Sequence, residues 1–391
     1  MKHIESRRLA RMGSAIFSEM AGWKQEVVSR GVDVIDLGIG SPDRPPSPKV
    51  MAALEAAVKD PSMYGYPTSE GSLQFRQTVS RWYEHRFGVQ LDPEEEIVSL
   101  MGSQDGLAHL ALAVTDPGDV VLVPDPGYPI YSASLVLAGV EAHYVPLRAE
   151  NDFLPRLEEI PESVARKAKF LLLNYPSNPL SAVATREFFE ELVAYAKRYD
   201  LLIVHDLAYS EMAFDGFRPP SILEVEGAKD VAVEFHSLSK SFNMAGCRIA
   251  FMVGRKDVVR ALRVLKSNID YGIFRAVQHA GIAALEEDME ADAVSVASLY
   301  ERRRDLVIEG LARAGWEIPK PKATMFIWAP IPKGWTSRQI SREILFKAGV
   351  VVIPGDAFGQ EGEGYVRIAL VQEEERLMEA VRRIADFLRS S

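Results

Sequence analysis

The sequence predicts an α/β fold in which helices cover a mostly parallel sheet. Between residues 34 and 253, apolar runs of four to six residues recur, and most do not alternate with polar residues, which is typical of strands buried on both faces. Amphipathic stretches of ten or more residues separate the runs, and this alternation of strand and helix favours a parallel sheet. The predicted strands are VIDL (34–37), IVSLM (97–101), VVLVP (120–124), KFLLLN (169–174), LLIVHD (201–206), VAVEFH (231–236) and RIAFMV (248–253).

Capping residues indicate where the helices of this region begin and end. Ser47-Pro48 combines a capping serine with a proline in the first turn, so a helix is expected to begin there. A second helix is predicted from about 72 to 87, because Gly88 is the kind of residue that ends a helix. A third helix is predicted from about 185 to 199.

The last hundred residues follow a different pattern and predict a smaller α+β unit. Helical patterns and short apolar runs succeed one another there, and the chain shows no internal repeat and no low-complexity linker. The predicted elements are a charged helix at about 290–314, strands in ATMFIWAPI (323–331), VVVIP (350–354) and YVRIAL (365–370), a helix at about 337–348 and a terminal helix.

Composition excludes several classes of protein. With 391 residues, 47% of them hydrophobic and 26% charged, the chain can bury a large core and is neither disordered nor fibrous. The net charge of −10 provides no electrostatic footprint for nucleic acid, and the single Cys247 cannot form an internal disulfide. No apolar run approaches the length of a membrane span, and the basic start lacks the apolar core of a signal peptide. We therefore expect a cytoplasmic protein without nucleic-acid or membrane partners and without a metal site.

The strongest chemical signal is Ser237-Leu-Ser239-Lys240, which directly follows a predicted strand. A lysine just beyond the carboxyl end of a parallel strand lies where ligand crevices form, and a deprotonated lysine forms Schiff bases with aldehydes. The two serine hydroxyls and Arg248, eight residues further on, are suitable donors to a phosphate. The alternative is a surface lysine in a polar loop.

Two further strand ends carry polar side chains. Asp206 ends a strongly apolar strand, where a carboxylate is unfavourable unless it pairs with a positive charge such as a protonated pyridine nitrogen, and Tyr209 can reach the adjacent ring hydroxyl. Asn178 precedes a proline and is therefore held extended, so its amide can point into a cleft. A capping aspartate and an ordinary turn are the structural alternatives.

Three more candidates lie at a helix start, in a loop and within a strand. Gly102-Ser103-Gln104 opens a helical stretch, where backbone N–H groups bind anions, although plain capping by Ser103 is the alternative. Tyr128 can stack on a flat ring or simply pack its loop. Arg367 places a cation in an apolar strand, which a substrate carboxylate or a structural ion pair would stabilise. Nearly all of these signals fall at strand or helix ends, and together they predict a single crevice.

Over almost its whole length, from VIDLGIGSPD (34–43) to YVRIAL (365–370), the sequence resembles the fold-type I, pyridoxal-phosphate-dependent aminotransferases of classes I and II. The resemblance is strongest to the bacterial and archaeal LL-diaminopimelate aminotransferase group, and a methionine-salvage subgroup shares many of the same stretches. These stretches are VDVIDLGIGSPD, DPGDVVLVPDPGYPIY, EFHSLSKSFNMAGCRI, PKATMFIWAPIPKG and GEGYVRIAL.

The resemblance implies a cofactor, pyridoxal 5'-phosphate, and a role for each candidate. Lys240 would hold the cofactor covalently and move the proton at the substrate Cα, Asp206 would keep the ring nitrogen protonated, and Tyr209 with Asn178 would bind the ring oxygen. Catalysis is thus assigned to Lys240, Asp206 and Tyr209. Cofactor binding is assigned to Tyr66, Ser103, Gln104, Tyr128, Asn178, Asp206, Tyr209, Ser237, Ser239, Lys240 and Arg248, and substrate binding to Gly40, Asn178 and Arg367.

The resemblance also implies the domain plan. It predicts a large cofactor-binding domain with a seven-stranded sheet at 46–285, and a smaller α+β domain with an N-terminal arm, formed by 1–45 and 286–391. The protein would be a homodimer with shared active sites, in which Tyr66 reaches the cofactor phosphate of the neighbouring subunit. The sequence departs from the family at one point: it has Leu180-Ser181 where the family usually has Thr-Gly after the asparagine and proline.

The implied activity is the ping-pong transfer of an amino group from an L-amino acid, best LL-diaminopimelate in lysine biosynthesis, to a 2-oxo acid, 2-oxoglutarate. Aspartate, alanine, aromatic amino acids or methionine as donors, and a C–S β-lyase on the same fold, stay open as alternatives. Asp270 or Glu70 could bind a distal ammonium group of the substrate, and Arg275 or Arg76 could bind a distal carboxylate. The acidic chain disfavours a DNA-binding regulator, and Gly38-Ile-Gly40 lacks the third glycine of a dinucleotide-binding fingerprint.

Overall fold

The computed structural model describes residues 4–12, 15–290 and 295–390. Its strands form one large and two small sheets. The strands are β1 (Ile35–Asp36), β2 (Ile97–Leu100), β3 (Val120–Asp125), β4 (Glu141–Pro146), β5 (Ala168–Asn174), β6 (Leu202–Asp206), β7 (Ala232–Ser237), β8 (Ala250–Gly254), β9 (Phe326–Pro330), β10 (Val350–Val351), β11 (Ile353–Pro354) and β12 (Tyr365–Ala369).

Helices cover these sheets, and their predicted caps are present. Ser47, Ser72 and Thr185 each accept a hydrogen bond from a backbone N–H in the first turn of the helix that they cap, and Gly88 ends its helix in the left-handed conformation. The helices are α1 (Ala15–Ser29), α2 (Pro48–Val58), α3 (Leu73–Phe87), α4 (Ser103–Val114), α5 (Pro129–Ala138), α6 (Glu162–Ala165), α7 (Arg186–Tyr199), α8 (Leu238–Ser241), α9 (Lys256–Lys266), α10 (Arg275–Asp288), α11 (Ala297–Ala312), α12 (Ser337–Glu343) and α13 (Glu374–Arg389).

The large sheet has seven strands in the order β2-β8-β7-β6-β5-β3-β4. Its pairs from β7 to β4 are parallel, whereas β8 runs antiparallel to both of its neighbours. Along β6, Ile203 packs into one hydrophobic cluster and Val204 into another, so both faces of the sheet are buried. This confirms the mostly parallel α/β fold, and double burial explains why the strand sequences are apolar without alternation.

One strand of the large sheet was not predicted. β4 (Glu141–Pro146) lies at the edge of the sheet, and of its six residues three are half-buried and two are exposed. Its sequence, EAHYVP, contains no apolar run, because an edge strand exposes part of its surface to water. The first predicted strand, by contrast, pairs outside the large sheet, where β1 runs parallel to β10.

The carboxyl-terminal part forms the antiparallel sheet β11-β12-β9, with α11 packed against α13. The long charged helix predicted at 290–314 is observed as α11 over 297–312, and residues 291–294 lie outside the described part of the chain. The helix predicted at 337–348 is α12 followed by a π-helical turn, Ile344–Ala348. None of the helices in the described ranges is long and apolar enough to cross a membrane.

A buried arginine connects the amino-terminal segment to the carboxyl-terminal unit. Arg303 of α11 is completely buried, and its guanidinium donates two hydrogen bonds of 2.7 Å to the carboxylate of Asp43. A third hydrogen bond, of 3.0 Å, goes to the backbone oxygen of Leu370 just after β12. The bidentate pair therefore fixes the segment that follows β1.

We predict that Arg303→Met lowers the free energy of unfolding by about 3 kcal/mol, because it leaves the partly buried Asp43 carboxylate without its partner. Urea denaturation of the two proteins measures the difference. The neighbouring Arg302→Met is the matched control, since Arg302 is exposed and its single ion pair is worth ~0.5 kcal/mol. Equal effects of the two substitutions would contradict the assignment.

Candidate active site

A pocket of about 220 Å³ lies at the carboxyl ends of β5, β6 and β7. The polar ends of these three neighbouring parallel strands meet there, as expected for a ligand crevice in an α/β sheet. Twelve of the thirteen predicted site residues line this pocket: Gly40, Ser103, Gln104, Tyr128, Asn178, Asp206, Tyr209, Ser237, Ser239, Lys240, Arg248 and Arg367.

Lys240 lies in the short helix α8, immediately after β7, and its Nζ donates a hydrogen bond of 2.6 Å to the backbone oxygen of Gly40. Burial, together with the positive charges of Arg367 and Arg248, lowers the pKa of the Lys240 amine to about 8. The uncharged amine, which is the form that attacks an aldehyde, is therefore much more populated near neutral pH than in a solvated lysine, although it is still the minor form.

Asp206 is the buried anion of the pocket. Its Oδ2 accepts a hydrogen bond of 2.8 Å from the hydroxyl of Tyr131, while its Oδ1 is buried and has no hydrogen-bond partner among the described residues. Burial raises the pKa of this carboxyl, against the hydrogen bond from Tyr131 and the charge of His205. A buried carboxylate oxygen without a partner is unfavourable, and a cationic N–H donor in the pocket would satisfy it.

A buried ion pair lies behind Asp206. The Nδ1 of His205 is 2.7 Å from the Oε2 of Glu234, and its Nε2 is 3.0 Å from the backbone oxygen of Tyr175. Both ring nitrogens of His205 therefore have a hydrogen-bond partner. Burial raises the pKa of Glu234, but hydrogen bonds with His205 and His236 outweigh it, and the net shift is downward. These histidines are thus satisfied structural residues.

One end of the pocket is suited to an anion. Gly102 precedes α4 at φ +80°, and a Cβ there would overlap the Arg248 guanidinium, which therefore lies against the start of this helix. A helix N-terminus and an arginine are both positive and do not stabilise each other, but both stabilise a phosphate between them. The Oγ of Ser239 is buried without a partner among the described residues, and Ser237 accepts a hydrogen bond from the Ser239 N–H.

Arg367 forms the opposite end of the pocket. Its guanidinium donates hydrogen bonds of 2.8 Å to the Oδ1 of Asn178 and 2.8 Å to the backbone oxygen of Gly38, and it lies 4.3 Å from the centre of the Phe326 ring. Its Nε is buried without a hydrogen-bond partner in the described chain. No carboxylate of this chain pairs with it within the described ranges, so the predicted alternative of a structural ion pair is wrong.

Tyr209 and Tyr128 lie between these two ends. Burial raises the pKa of both hydroxyls, so both stay protonated and can donate hydrogen bonds at neutral pH. The ring of Tyr209 packs 6.0 Å from that of Phe326, and the ring of Tyr128 packs edge-on 5.9 Å from that of Tyr131. The two hydroxyls and the Asn178 amide are therefore available to a flat polar ligand.

Tyr66 is the one predicted site residue that does not line this pocket. Its side chain is 91% exposed and contacts Tyr271, with the ring centres 5.8 Å apart. Within a single chain it contacts nothing in the pocket, so its predicted role requires a second copy of the protein.

The four residues considered for a distal substrate group also lie outside the pocket lining. Asp270 pairs with the completely buried Lys266 at 2.9 Å, and Arg275 donates to the backbone oxygen of Ser62 at 2.9 Å. Arg76 is buried, and with Glu70 it forms a long ion pair of 3.5 Å.

Sequence analysis did not assign a role to four residues that line the pocket: Tyr131, Asn174, Ala208 and Ala245. Asn174 positions its neighbours: its Nδ2 donates to the backbone oxygen of Asp206 at 2.7 Å, and its Oδ1 accepts from the backbone N–H of Asn178 at 2.7 Å. Tyr131 lies in the first turn of α5, three residues after the extended Tyr128 that precedes this helix, and its role depends on its hydrogen bond to the distant Asp206.

These residues fit pyridoxal 5'-phosphate. The unpartnered Oδ1 of Asp206 can accept a hydrogen bond from a protonated ring nitrogen. The lowered pKa of Lys240 favours the uncharged amine, which reacts with an aldehyde. The positive start of α4 with Arg248 and the free hydroxyl of Ser239 match a phosphate. The chain thus has a suitable side chain for each part of the cofactor: an acceptor for the ring nitrogen, an amine for the aldehyde and positive groups for the phosphate.

Comparison with known proteins agrees with this geometry. Residues 32–384 match the family described as aminotransferase class I and II. The chain is 49% identical to an LL-diaminopimelate aminotransferase of Moorella thermoacetica, over 97% of each protein, and 48% identical to LL-diaminopimelate aminotransferase 2 of Nostoc sp., over 97% of this chain and 98% of the relative. The substrate-bound structure of BacF from Bacillus subtilis superposes with a TM-score of 0.92 at 36% identity, over 98% of both chains.

We predict that the rate at which pyridoxal 5'-phosphate attaches covalently to the cofactor-free protein rises with pH and levels off above a midpoint at about pH 8. The reason is that only the deprotonated amine reacts, and burial moves the pKa of Lys240 down from 10.5. Stopped-flow absorbance at a series of pH values measures the midpoint. A rate that is still rising steeply near pH 10.5 would show an ordinary, solvated lysine.

Proposed function

The chain belongs to the aminotransferase class I and II family, and we propose that it transfers the amino group of LL-diaminopimelate to 2-oxoglutarate in lysine biosynthesis. The protein is a pyridoxal-phosphate-dependent aminotransferase. The observation that supports this particular substrate is the 49% identity to the LL-diaminopimelate aminotransferase of Moorella thermoacetica over 97% of both chains. The fold alone supports no single donor, because the same architecture serves many reactions.

When bound, the cofactor supplies an aldehyde that captures the substrate amino group and a ring that withdraws electrons from the substrate Cα. The reaction is ping-pong: the oxo acid made from the first substrate leaves before the second oxo acid binds. The phosphate would be held by the start of α4, with Ser103 and Gln104, and by Ser237, Ser239 and Arg248.

Lys240 is the proposed acid–base group. Its Nζ lies in the pocket, and an amine with a pKa of about 8 would accept a proton from the substrate Cα and give it up again. The hydrogen bond from Nζ to the backbone oxygen of Gly40 directs the amine toward the amino-terminal segment of the pocket.

Asp206 and Tyr209 are the proposed electrostatic groups. The unpartnered Oδ1 of Asp206 would accept a hydrogen bond from the protonated ring nitrogen and so keep that nitrogen positive. The hydroxyl of Tyr209 and the amide of Asn178 would donate to the ring oxygen, and Tyr128 would stack on the ring.

Arg367 is the proposed clamp for the substrate α-carboxylate, with the Gly40 backbone beside it. The guanidinium is buried and already oriented by Asn178 and Gly38, so binding a carboxylate costs little reorganisation. Burial lowers the pKa of Arg367 to about 10, and it therefore stays charged at neutral pH.

The proposed assembly is a cytoplasmic homodimer with shared active sites. The exposed ring of Tyr66 supports this assembly, since a side chain that is 91% exposed and contacts nothing in its own pocket is free to reach a second subunit. We propose that the chain is divided into a large domain at 46–285 and a small domain formed by 1–45 and 286–391.

We predict that LL-diaminopimelate and glutamate both convert the absorbance of the cofactor-loaded protein to that of the aminated cofactor. Aspartate, alanine and methionine should be poorer donors, by ~100-fold in kcat/KM, because alanine and methionine have no distal charged group and the second carboxylate of aspartate is one methylene closer than that of glutamate. Conversion by one of these three alone would contradict the proposed substrate and leave the cofactor chemistry intact.

We predict that Lys240→Ala lowers kcat by at least ~10⁴-fold and removes the absorbance of the covalently held cofactor, since no other amine lines the pocket within the described chain. Lys256→Ala is the control, because this lysine lies at the exposed start of α9 and pairs only with Glu95 at 3.5 Å. Retained turnover in the Lys240 variant would exclude the proposed acid–base role.

A further inference from the structure

We propose that Ser181 is a positioning residue that joins the Asn178 loop to β9 and thereby orients Arg367 toward the α-carboxylate of both substrates. This inference rests on the proposed function, in which Arg367 binds that carboxylate. It concerns the two positions, Leu180 and Ser181, at which the sequence departs from the family pattern of Thr-Gly.

The contacts of Ser181 cross from the large sheet to the carboxyl-terminal unit. Its Oγ donates a hydrogen bond of 2.7 Å to the backbone oxygen of Phe326, the first residue of β9, and lies 3.0 Å from the Oγ1 of Thr324. Its own N–H donates to the backbone oxygen of Ser177 at 2.8 Å, which closes the turn that contains Asn178. Ser181 and Thr324 are both buried.

Both residues of this pair have an unfavourable backbone conformation. Ser181 has φ +55° and Thr324 has φ +75°, in the region that glycine adopts freely and that a β-branched residue such as threonine rarely enters. Strained residues persist only where surrounding contacts hold them in place, and they concentrate at functional sites. The hydrogen bonds made by the two hydroxyls are what a glycine at these positions could not provide.

Leu180 adds an apolar contact next to this hydrogen bond. Its side chain is buried in a cluster that includes Trp328 of β9, Ile353 of β11 and Phe358. Leu180 and Ser181 therefore hold the loop against the sheet β11-β12-β9, Leu180 through its apolar side chain and Ser181 through its hydroxyl.

Arg367 lies between the two segments that Ser181 joins. Its guanidinium bonds to Asn178, which is three residues before Ser181, and lies over the ring of Phe326, whose backbone oxygen Ser181 holds. Loss of the hydroxyl removes the hydrogen bond between the loop and β9, and the fixed orientation of the guanidinium is relaxed. The amino acid and the 2-oxo acid both carry a carboxylate at this position. Loss of the hydroxyl should therefore weaken the binding of both substrates to the same extent.

The test compares Ser181→Ala with the wild-type enzyme. We expect KM for LL-diaminopimelate and for 2-oxoglutarate each to rise about fivefold, which corresponds to one neutral hydrogen bond, with kcat changed less than twofold. The affinity for pyridoxal 5'-phosphate should be unchanged. The Kd of 2-methylglutamate, which has the α-carboxylate but no Cα proton, should rise by the same factor in a titration without turnover.

Three further variants separate positioning from folding. Ser181→Gly removes the hydroxyl but relieves the backbone strain, so it should fold at least as well as Ser181→Ala and show the same rise in KM. Thr324→Ser keeps a hydroxyl and should behave like the wild type, whereas Thr324→Val should resemble Ser181→Ala. Ser267→Ala is the control, because this hydroxyl is exposed and donates only to Val264 in its own helix.

Unchanged KM values in Ser181→Ala and Ser181→Gly would overturn the inference, and so would an equal loss of cofactor affinity, which would indicate general damage to the fold. These results differ from failure of the proposed function, in which the wild-type enzyme itself would not transfer the amino group of LL-diaminopimelate. The 2-methylglutamate titration then still measures the orientation of Arg367 in the cofactor-loaded protein.

Discussion

The arrangement of the pocket depends on the buried carboxylate of Asp206 at the end of β6. Water cannot stabilise a charge at this depth, and the hydroxyl of Tyr131 satisfies only one of its two oxygens. Behind it, the Nδ1 of His205 lies 2.7 Å from the Oε2 of Glu234, so these two buried side chains satisfy each other and do not serve the Asp206 carboxylate. The remaining oxygen requires a cationic donor, and a protonated pyridine ring is a flat ligand that can supply one between Tyr128 and Tyr209.

The parallel sheet brings the other residues of the site close to Asp206. Since β5, β6 and β7 end at the same edge, Asn174, Asp206 and Ser237 are brought together although they are distant in sequence. Positive groups lie at both ends of the pocket, Arg248 at the start of α4 and Arg367 on β12. Burial, together with these two charges, lowers the pKa of Lys240. The same charges thus prepare binding sites for a phosphate and a carboxylate and make the lysine reactive.

Much of this could be predicted from the sequence, because the signals are local. Apolar strands followed at once by polar residues predict both the sheet and its functional edge, and twelve of the thirteen candidates line one pocket. The edge strand β4 has no apolar run to reveal it, and the role of Tyr131 depends on a contact with Asp206 across 75 residues of sequence. The exposed Tyr66 could be recognised only by resemblance, since its predicted partner belongs to another subunit. The departure at Leu180-Ser181 was visible in the sequence, but its contacts with β9 required the fold.

Asp206 is proposed to hold a protonated ring nitrogen, and this is tested by the ¹⁵N NMR shift of that atom in labelled pyridoxal 5'-phosphate bound to the protein. We expect the shift of a pyridinium nitrogen throughout the pH range in which the protein is folded, and the shift of an unprotonated pyridine in Asp206→Asn. An unprotonated shift in the wild-type protein would exclude this role of Asp206, because the buried carboxylate would then have no cationic partner.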